Sequence, residues 1–353
     1  MDEPKTILVI AWGGIGDIVC LSPALLALRK RYHEAKIVIL CENNTPCELI
    51  KCWNGAYTFS IKEKKFKGFS GKIRLIKKLR QFYPDVSVMN AVGPSFRSAF
   101  ISVLSGARIR IGKSVRGKGF LNTIRFPEYR IHEIDANFEI FKYFGVERAD
   151  EKPFVQIPED SFLFVNRWCK DRKITPKEVI GIHPGASDRN KRWDKFSELI
   201  RSFMKEGERL VIFGTEDERS YIETIAKDCR EGLSYLSDSV NEPYGQASIF
   251  SFIGYPITYA AAMISCCKLF IGNDSGPSHL ASALSVPTIT IFGPTSWERG
   301  RPYGDKSIIV KSNLPCSPCS WLGVGIKCKS LECLKEIKVG EVYEKAMEVL
   351  GDG

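Results

Sequence analysis

Short apolar runs alternate with amphipathic segments along most of this chain. The runs at 6–12 and 36–41 flank an apolar stretch that predicts a helix ending near Arg31. A second series begins with a strand at 179–183 and continues with alternating predicted helices and strands. Strand–helix–strand alternation of this kind is typical of α/β domains built on parallel sheets.

A length of 353 residues exceeds one typical core and predicts two domains. The pattern resets in a polar segment at 151–158, which contains Pro153 and Pro158 and is interpreted as the linker. The predicted domains are therefore 1–152 and 153–335, followed by a terminal segment, 336–353, with a helix at about 339–350. The polar segment 237–251 is predicted to be an irregular, mobile loop.

Composition indicates an ordinary globular protein, with 44% hydrophobic and 26% charged residues. The net charge of +10 is uneven, because residues 1–150 hold 25 Lys and Arg against 14 Asp and Glu, while the remainder hold 26 against 27. The first half is expected to meet nucleic acid, phospholipid head groups or a phosphorylated substrate, although a merely soluble basic surface has the same charge. The sequence shows neither a membrane span nor a signal peptide, which predicts a cytoplasmic protein.

The basic charge is concentrated at 62–80, where nine Lys or Arg accompany one Glu. Phe66 and Phe69 are interleaved, and a helix at 72–82 is expected to turn Ile73, Ile76 and Leu79 inward. This mixture suits an anionic membrane surface or a nucleic-acid patch, and a solvated basic helix beside a loop fits equally. A second basic stretch, 108–118, is placed on a strand and the loop after it.

The stretch 268–295 predicts a strand, a tight turn, a helix from 277 to 284 and another strand. A helix N-terminus at the end of a parallel strand binds phosphate, because it presents N–H groups and the positive end of the helix dipole. Ser275 is the expected N-cap, Asp274 suits sugar hydroxyls, and His279 is expected to face the same opening. A plain turn capped by Asp274 has the same pattern.

Two other predicted strands end in comparable turns, at 183–187 and 213–216. The carboxyl ends of parallel strands share one edge, so the three turns are expected to converge. Lys191 would supply charge for a diphosphate, Glu216 would bind a ribose diol, and the turn at 275–279 would supply N–H donors. These residues predict a site for a nucleotide-diphosphate sugar.

The first strand is followed by Gly13, Gly14 and Gly16, without the spacing of a dinucleotide fingerprint, since Val19 stands at its third position. The glycines are expected to let the backbone approach a ligand, with Asp17 pointing into the cleft. The alternative for Asp17 is a charge stabilised by the helix dipole.

Four motifs together resemble glycosyltransferase family 9, which contains the ADP-heptose:lipopolysaccharide heptosyltransferases. They are GDIVCLSPAL, HPGAS with KRW, FGTEDE, and IGNDSGPSHLASALSVPTITIFGPT. The resemblance covers nearly the whole chain. It implies a GT-B architecture of two Rossmann-like domains facing a central cleft, with the terminal helix returning to the N-terminal domain. It also implies an inverting transfer that needs no metal and no cofactor.

The resemblance assigns roles to individual residues. It makes Asp17 the catalytic base and gives contacts with the donor phosphates to Lys191 and ribose binding to Glu216. The other donor-binding candidates are Ser187, Asp274, Ser275, Gly276, Ser278 and His279. The acceptor-side candidates are Gly14, Gly16, Lys64, Lys65 and Lys67. Some heptosyltransferases carry two adjacent hydroxyl residues after the strand that here ends in His183, whereas this chain has only Ser187 there.

The implied activity is transfer of a heptose from ADP-heptose to a lipopolysaccharide-core or related glycolipid. The expected enzyme is a cytoplasmic monomer that contacts the inner face of the membrane peripherally and binds no nucleic acid. One alternative is a nucleotide-sugar epimerase or hydrolase on the same fold. The other is a non-catalytic nucleic-acid-binding protein that uses the basic half.

Four of the twelve cysteines lie close together in the sequence: Cys316, Cys319, Cys328 and Cys333. Their spacing suits a structural zinc ion or a metal cluster. Reduced or disulfide-linked thiols fit it as well, and the family implies no catalytic metal here. The other eight are scattered, as expected of small buried residues in a reducing compartment.

Overall fold

The computed structural model describes residues 3–51, 53, 55–93, 95–114, 119–148, 152–234, 248–321, 323 and 325–351. The chain divides into two compact units, Met1–Gln156 and Ile157–Gly353. The division lies inside the polar segment 151–158, four residues beyond the expected boundary. No helix among the described residues is long and apolar enough to cross a membrane.

The first unit is built on a six-stranded parallel sheet with the spatial order β3-β2-β1-β4-β5-β6. Its strands are β1 Thr6–Ala11, β2 Lys36–Cys41, β3 Ala56–Ser60, β4 Val86–Met89, β5 Ile109–Lys113 and β6 Ile124–Phe126. Its helices are α1 Ile15–Arg31, α2 Asn44–Lys51, α3 Gly68–Arg80, α4 Ser95–Ser105 and α5 Glu133–Phe141. Two 3-10 turns, Lys64–Phe66 and Lys142–Phe144, complete the described elements.

The central strand β1 is buried along its whole length, as its continuous apolar sequence predicts for a parallel strand covered on both faces. One core cluster joins Leu8 and Ile10 to Leu75 and Leu79 of α3. The expectation that Ile73 turns inward was wrong, because its side chain is 44% exposed. The buried residues of α3 are Gly71, Leu75 and Leu79, and Gly71 fits tightly, since a Cβ there would lie 2.4 Å from the carbonyl carbon of Phe66.

The second unit repeats the same topology with the strand order β12-β11-β10-β7-β8-β9. Its strands are β7 Val179–His183, β8 Arg209–Gly214, β9 Ser248–Ile253, β10 Cys267–Asn273, β11 Thr288–Phe292 and β12 Ser307–Lys311. Its helices are α6 Glu159–Asp171, α7 Phe196–Lys205, α8 Arg219–Ser234, α9 Ile257–Ser265, α10 Gly276–Ala283, α11 Trp297–Gly300, α12 Glu332–Lys335 and α13 Val339–Gly351. Both sheets therefore have the strand order of a Rossmann-like domain.

Alternate residues of the central strands of this unit, such as Ile180 and Ile182, form one face of its core. Val342 and Ala346 of α13 are fully buried in the same cluster. The terminal helix thus packs on the second unit, and its expected return to the N-terminal domain stays a prediction. Its apolar face packs against the sheet of the second unit, whose strands precede the helix in the sequence.

The prediction of an irregular loop was wrong for residues 248–251, which belong to β9 and pair in parallel with β8. Residues 237–247 of that segment lie outside the described residues. So do Cys52, residues 115–118 of the second basic stretch, and Glu151 of the linker.

Candidate active site

The three predicted turns of the second unit follow adjacent strands, since β10 pairs with β7 and β7 pairs with β8. The register places Gly272 opposite His183, so the turns after these two strands begin side by side. Strand order reverses between β7 and β10, and ligands of open α/β sheets bind at such a switch point. The fold therefore brings the predicted donor-binding turns to one edge.

Lys191 and Asp274, both predicted to bind the donor, contact each other at this edge. Lys191 Nζ donates to Asp274 Oδ2 over 3.1 Å, and the two side chains are only 16% and 13% exposed. Lys191 closes a 3-10 turn, Arg189–Lys191, that Asp188 caps by accepting from the N–H of Asn190. The charge of Lys191 is therefore matched by a carboxylate rather than isolated.

Asn273 joins the segments of the site, although no role was predicted for it from the sequence. Its buried side chain donates from Nδ2 to the carbonyls of Pro184 (2.8 Å) and Gly185 (3.3 Å), and its Oδ1 accepts from Trp193 N–H (3.0 Å). One amide thus joins the end of β10 to the turn after β7 and to the residues that follow Lys191. Asn90 does the same in the first unit, where Oδ1 accepts from Trp12 N–H (3.1 Å) and Nδ2 donates to the Trp12 carbonyl (2.8 Å).

Glu218 is a buried carboxylate beside the turn after β7, and no role was predicted for it from the sequence. Its Oε2 accepts from the N–H and the hydroxyl of Thr215, both at 3.0 Å, and lies 3.6 Å from His183 Nε2. Its Oε1 lies 3.5 Å from Arg192 Nη2. Burial alone would raise the pKa of Glu218, but the hydrogen bonds and charge of His183 and the bonds from Thr215 outweigh it and lower the pKa to about 2.

The signal for Glu218 was present in the sequence, because Thr215 and Glu218 have the spacing of a capping box and form one. Gly185 lies close to it, and a larger residue there would displace the carboxylate, since a Cβ at that position would lie 2.0 Å from Glu218 Oε1. Arg192 also donates to the carbonyl of Ala186 from Nε (3.2 Å) and Nη2 (2.9 Å). Glu218 and Arg192 therefore support the turn, while Lys191 reaches the exposed edge.

The remaining donor candidates occupy different environments. The Glu216 side chain is 66% exposed and accepts from Arg219 at 2.7 and 2.8 Å, which lowers its pKa. Ser187 is exposed. His279 is 8% exposed, and Gly276 is partly exposed. Glu216 thus lies at the more open side of the edge, where a Cβ at Gly254 would come within 2.5 Å of its Oε2.

Ser275 is the N-cap of α10, as predicted, but its side chain makes no capping hydrogen bond. Its hydroxyl instead lies 3.2 Å from His183 Nδ1. Ser278, in the first turn, donates to the carbonyl of Asn273 over 2.8 Å. These bonds join the beginning of α10 to β7 and β10, and the helix N-terminus faces the same edge as Lys191.

In the first unit, Asp17 is the third residue of α1 and is partly exposed. Gly14 N–H donates to Asp17 Oδ2 over 2.6 Å, which is the geometry of a helix cap. Gly13 has a φ of +107°, and a Cβ there would lie 2.2 Å from the same oxygen. Gly13 is therefore needed for the carboxylate to fold back over the turn.

The acceptor-side lysines flank one buried aromatic residue, Phe66. Phe66 is buried, while Lys64, Lys65 and Lys67 are exposed. Lys65 Nζ lies 2.7 Å from Glu63 Oε2 and 4.9 Å from the centre of the Phe66 ring. The interleaved pattern thus separates into one core aromatic and a cationic outer face.

Of the four late cysteines, Cys333 is buried and the other three are exposed, and none forms a disulfide. Burial, followed by the nearness of the other three thiols, raises the pKa of Cys333. Across the described ranges, no group of three His, Cys, Asp or Glu residues is arranged to hold a metal ion. The cysteines are therefore neighbours that do not form a metal-ligand set in this structure.

The first unit also contains a small pocket, partly open to solvent, between α1, α2 and residues 154–156. Its lining is mainly apolar. The hydroxyl of Ser22 is already used, because it donates to the Val19 carbonyl (2.7 Å) and accepts from Phe154 N–H (2.8 Å). The pocket offers few polar groups for a sugar.

Comparison with known proteins identifies the family. The model of glycosyltransferase family 9 (heptosyltransferase) matches residues 72–322. Lipooligosaccharide heptosyltransferase 2 of Campylobacter jejuni is 24% identical over 350 residues, which cover 95% of each chain.

Two solved structures share the fold. The family 9 glycosyltransferase of Veillonella parvula has a TM-score of 0.80 at 19% identity, with 100% of this chain and 99% of that chain covered. The E. coli ADP-heptose lps heptosyltransferase II has a TM-score of 0.73 at 20% identity, with 98% and 99% covered. The two parallel six-stranded sheets are those of the predicted GT-B architecture. Since the family model spans more than half of its length, the chain belongs to glycosyltransferase family 9 and is a glycosyltransferase.

Proposed function

We propose that this enzyme transfers a heptose, with inversion, from ADP-heptose to a lipopolysaccharide-core or related glycolipid acceptor. The observation that carries the proposal is the Lys191–Asp274 pair at the switch point of the second sheet, beside the N-terminus of α10. A cation and a helix N-terminus together suit a diphosphate, and a carboxylate suits sugar hydroxyls. The choice of heptose rests on the relatives, whose names are those of heptosyltransferases.

On the donor side, Lys191 would bind the diphosphate and turn from Asp274 toward the phosphate oxygens. Asp274, released from that pair, would accept hydrogen bonds from the sugar. Ser275, Gly276, Ser278 and His279 surround the start of α10, and Ser187 lies exposed after β7. Glu216, at the open side of the edge, is proposed for the ribose diol, with Arg219 holding its carboxylate ionised.

Asp17 is the proposed base. One acceptor hydroxyl would attack the anomeric carbon as Asp17 takes its proton, and the bond to the diphosphate would break with its electron pair leaving on the phosphate oxygen. The negative charge that develops there would be stabilised by Lys191 and the dipole of α10. Asp17 Oδ2 already accepts from Gly14, which fixes the carboxylate and leaves Oδ1 as the proton acceptor.

The acceptor is proposed to approach over Gly14 and Gly16, with Lys64, Lys65 and Lys67 meeting its anionic groups. These three lysines are exposed, so they are available to an acceptor and are not part of the core of the unit. We further propose that the enzyme works as a monomer at the cytoplasmic face of the membrane and requires neither metal nor other cofactor.

The experiment separates this proposal from its alternatives. The protein is incubated with ADP-heptose, with and without a heptose-deficient core glycolipid, and both ADP and the anomeric configuration of the product are measured. The expected result is ADP release only when the acceptor is present, with inverted product. ADP or an isomerised donor without acceptor would instead indicate the hydrolase or epimerase, neither of which the comparisons favour. Salt-dependent nucleic-acid binding without nucleotide-sugar affinity would indicate the remaining alternative.

A further inference from the structure

Helix α4 of the first unit buries small side chains and exposes several large apolar ones. Its buried side chains are small, namely Ser98, Ala99, Ser102 and Ser105. Three of its large apolar side chains point outward, with Phe96 51%, Phe100 48% and Val103 37% exposed, while Ile101 packs against the core. The small inward face has partners of its own, since Ser98 accepts from the indole of Trp12 and Ser105 donates to the Ser102 carbonyl over 2.7 Å. The outward rings therefore do not serve the core.

The outward rings form a cluster on the surface. The centroids of Phe96 and Phe100 are 6.3 Å apart with an interplanar angle of 10°, and Phe120 lies 6.1 Å from Phe96. Phe120 is itself 58% exposed. Three neighbouring aromatic rings that stay about half exposed form a contiguous apolar patch, which marks an interaction surface rather than scattered surface residues.

Helix α3 lies beside α4 and adds the charge. Arg80 Nε donates to the carbonyl of Leu104 over 2.8 Å, and Ile76 and Ile101 pack against the same core cluster. The two helices together carry six Lys or Arg and no Asp or Glu. Helix α3 also exposes Phe69 (82%) and Ile73 (44%). Neither helix carries a carboxylate, although Arg97 of α4 lies 3.5 Å from Glu42, so the lysines of α3 supply the unpaired part of the charge beside the patch.

This combination of groups fits one kind of surface. Exposed aromatic and aliphatic groups bordered by Lys and Arg are typical of helices that lie in the interface of an anionic membrane. Helix α4 has 11 residues, or about 16 Å, which is too short to cross the hydrocarbon core and suits a helix lying in its plane. A nucleic acid would stack on the rings but would gain nothing from Val103 or Ile73.

We infer that α3 and α4 are a docking surface for an anionic phospholipid bilayer. Phe96, Phe100 and Phe120 enter the acyl boundary, while Lys72 and Lys77 meet the phosphate head groups. The inference deepens the proposed function, because an enzyme that modifies a glycolipid works at such a surface. Its test contains neither donor nor acceptor, so a failure of the proposed transfer reaction leaves the binding result standing.

The first arm of the test measures flotation of the purified full chain with vesicles of phosphatidylcholine, alone or mixed with phosphatidylglycerol. Phe96→Ser/Phe100→Ser is expected to weaken binding to the mixed vesicles by at least about 10-fold, because two rings lose their apolar burial. The matched control is Phe162→Ser/Leu163→Ser on α6 of the second unit, where the side chains are 38% and 65% exposed. The control is expected to bind like the unchanged protein.

The second arm tests the charge. Lys72→Gln/Lys77→Gln is expected to weaken binding to the mixed vesicles by about 30-fold and to change binding to phosphatidylcholine little. High salt is expected to weaken the unchanged protein in the same way. The control is Lys170→Gln/Lys205→Gln, two exposed lysines of the second unit, which should leave vesicle binding unchanged.

Equal vesicle binding by the Phe variant and its α6 control would overturn the inference. So would binding that is insensitive to phosphatidylglycerol. The same samples are also sedimented without vesicles, to test whether the patch binds a second copy of the chain. If the protein self-associates, loses this on Phe100→Ser and binds no vesicles, the patch is a contact between copies, and the inference is overturned. Thermal unfolding and ADP binding are measured for each variant, because both stay unchanged when only the outer surface has been altered.

Discussion

Replacing Glu218 by Gln is expected to destabilise the second unit by ~3 kcal/mol at neutral pH. Gln has the shape of the protonated carboxyl, so the variant approximates the acid form at every pH. The folded pKa of Glu218 is about 2 and its ordinary value is 4.5, and the free-energy difference between these values is ~3 kcal/mol. Solvent screening reduces this little, because the side chain is only 9% exposed.

The pH dependence gives a second check on the same reasoning. A carboxyl whose pKa is lowered by folding stabilises the protein fully above its unfolded pKa, and this contribution is lost as pH falls through the folded value. The difference between wild type and Glu218→Gln should therefore be present above about pH 5 and should shrink as the pH falls below it. It should fall to roughly half near pH 3, between the two pKa values.

The assay is urea-dependent hydrogen exchange of peptides from β7 and β8, which reports the second unit without assuming that both units unfold together. Glu216→Gln is the matched control, since that side chain lies two residues earlier, is 66% exposed and is expected to leave stability unchanged. Equal stability of the two variants at pH 7, or a difference that does not shrink in acid, would refute the structural assignment.

Three further predictions concern the chemistry. Asp17→Asn should lower kcat by roughly 10²–10⁴ and leave the donor Kd nearly unchanged, and Asp17→Glu should recover little; near-normal turnover on a verified acceptor would leave Asp17 as a helix cap. Lys191→Ala should weaken ADP binding, measured by calorimetry, by roughly 10- to 100-fold through loss of a charge-assisted contact, and Asp274→Asn in the same background should recover part of any lost stability. Metal analysis of untagged protein should find well below one zinc or iron per chain; stoichiometric metal lost on Cys316→Ser would contradict this.

Much of the fold could be predicted because local runs of apolar residues mark its central strands. The strands β1, β7, β10 and β11 lie where their apolar runs placed them, since a parallel strand covered on both faces needs a continuous apolar sequence. The prediction of a helix at 277–284 was confirmed by α10, Gly276–Ala283, because Pro277 suits a first turn and Ser275 its N-cap. These features depend on neighbouring residues only.

Elements with weaker local signals were predicted poorly. Strand β9 is the edge of its sheet and its first residues are partly exposed, and its apolar residues are interrupted by Ser251, so the local signal is weaker than that of a central strand. Of the residues of α3 that were predicted inward, Leu79 is buried and Ile76 packs against the core, whereas Ile73 is 44% exposed, and Gly71 is buried against the backbone of Phe66 instead.

The sequence by itself determined the parallel sheets, the glycine-bearing turns and the residue types at their edges. Only the tertiary structure decided which of these residues meet. Lys191 and Asp274 are 83 positions apart and pair because β7 and β10 are neighbours in the sheet. Asn273 and Glu218 support the site through contacts with Pro184 and His183, which the same pairing of neighbouring strands brings close to them. Burial and pairing depend on distances between segments, and local patterns of hydrophobicity do not contain that information.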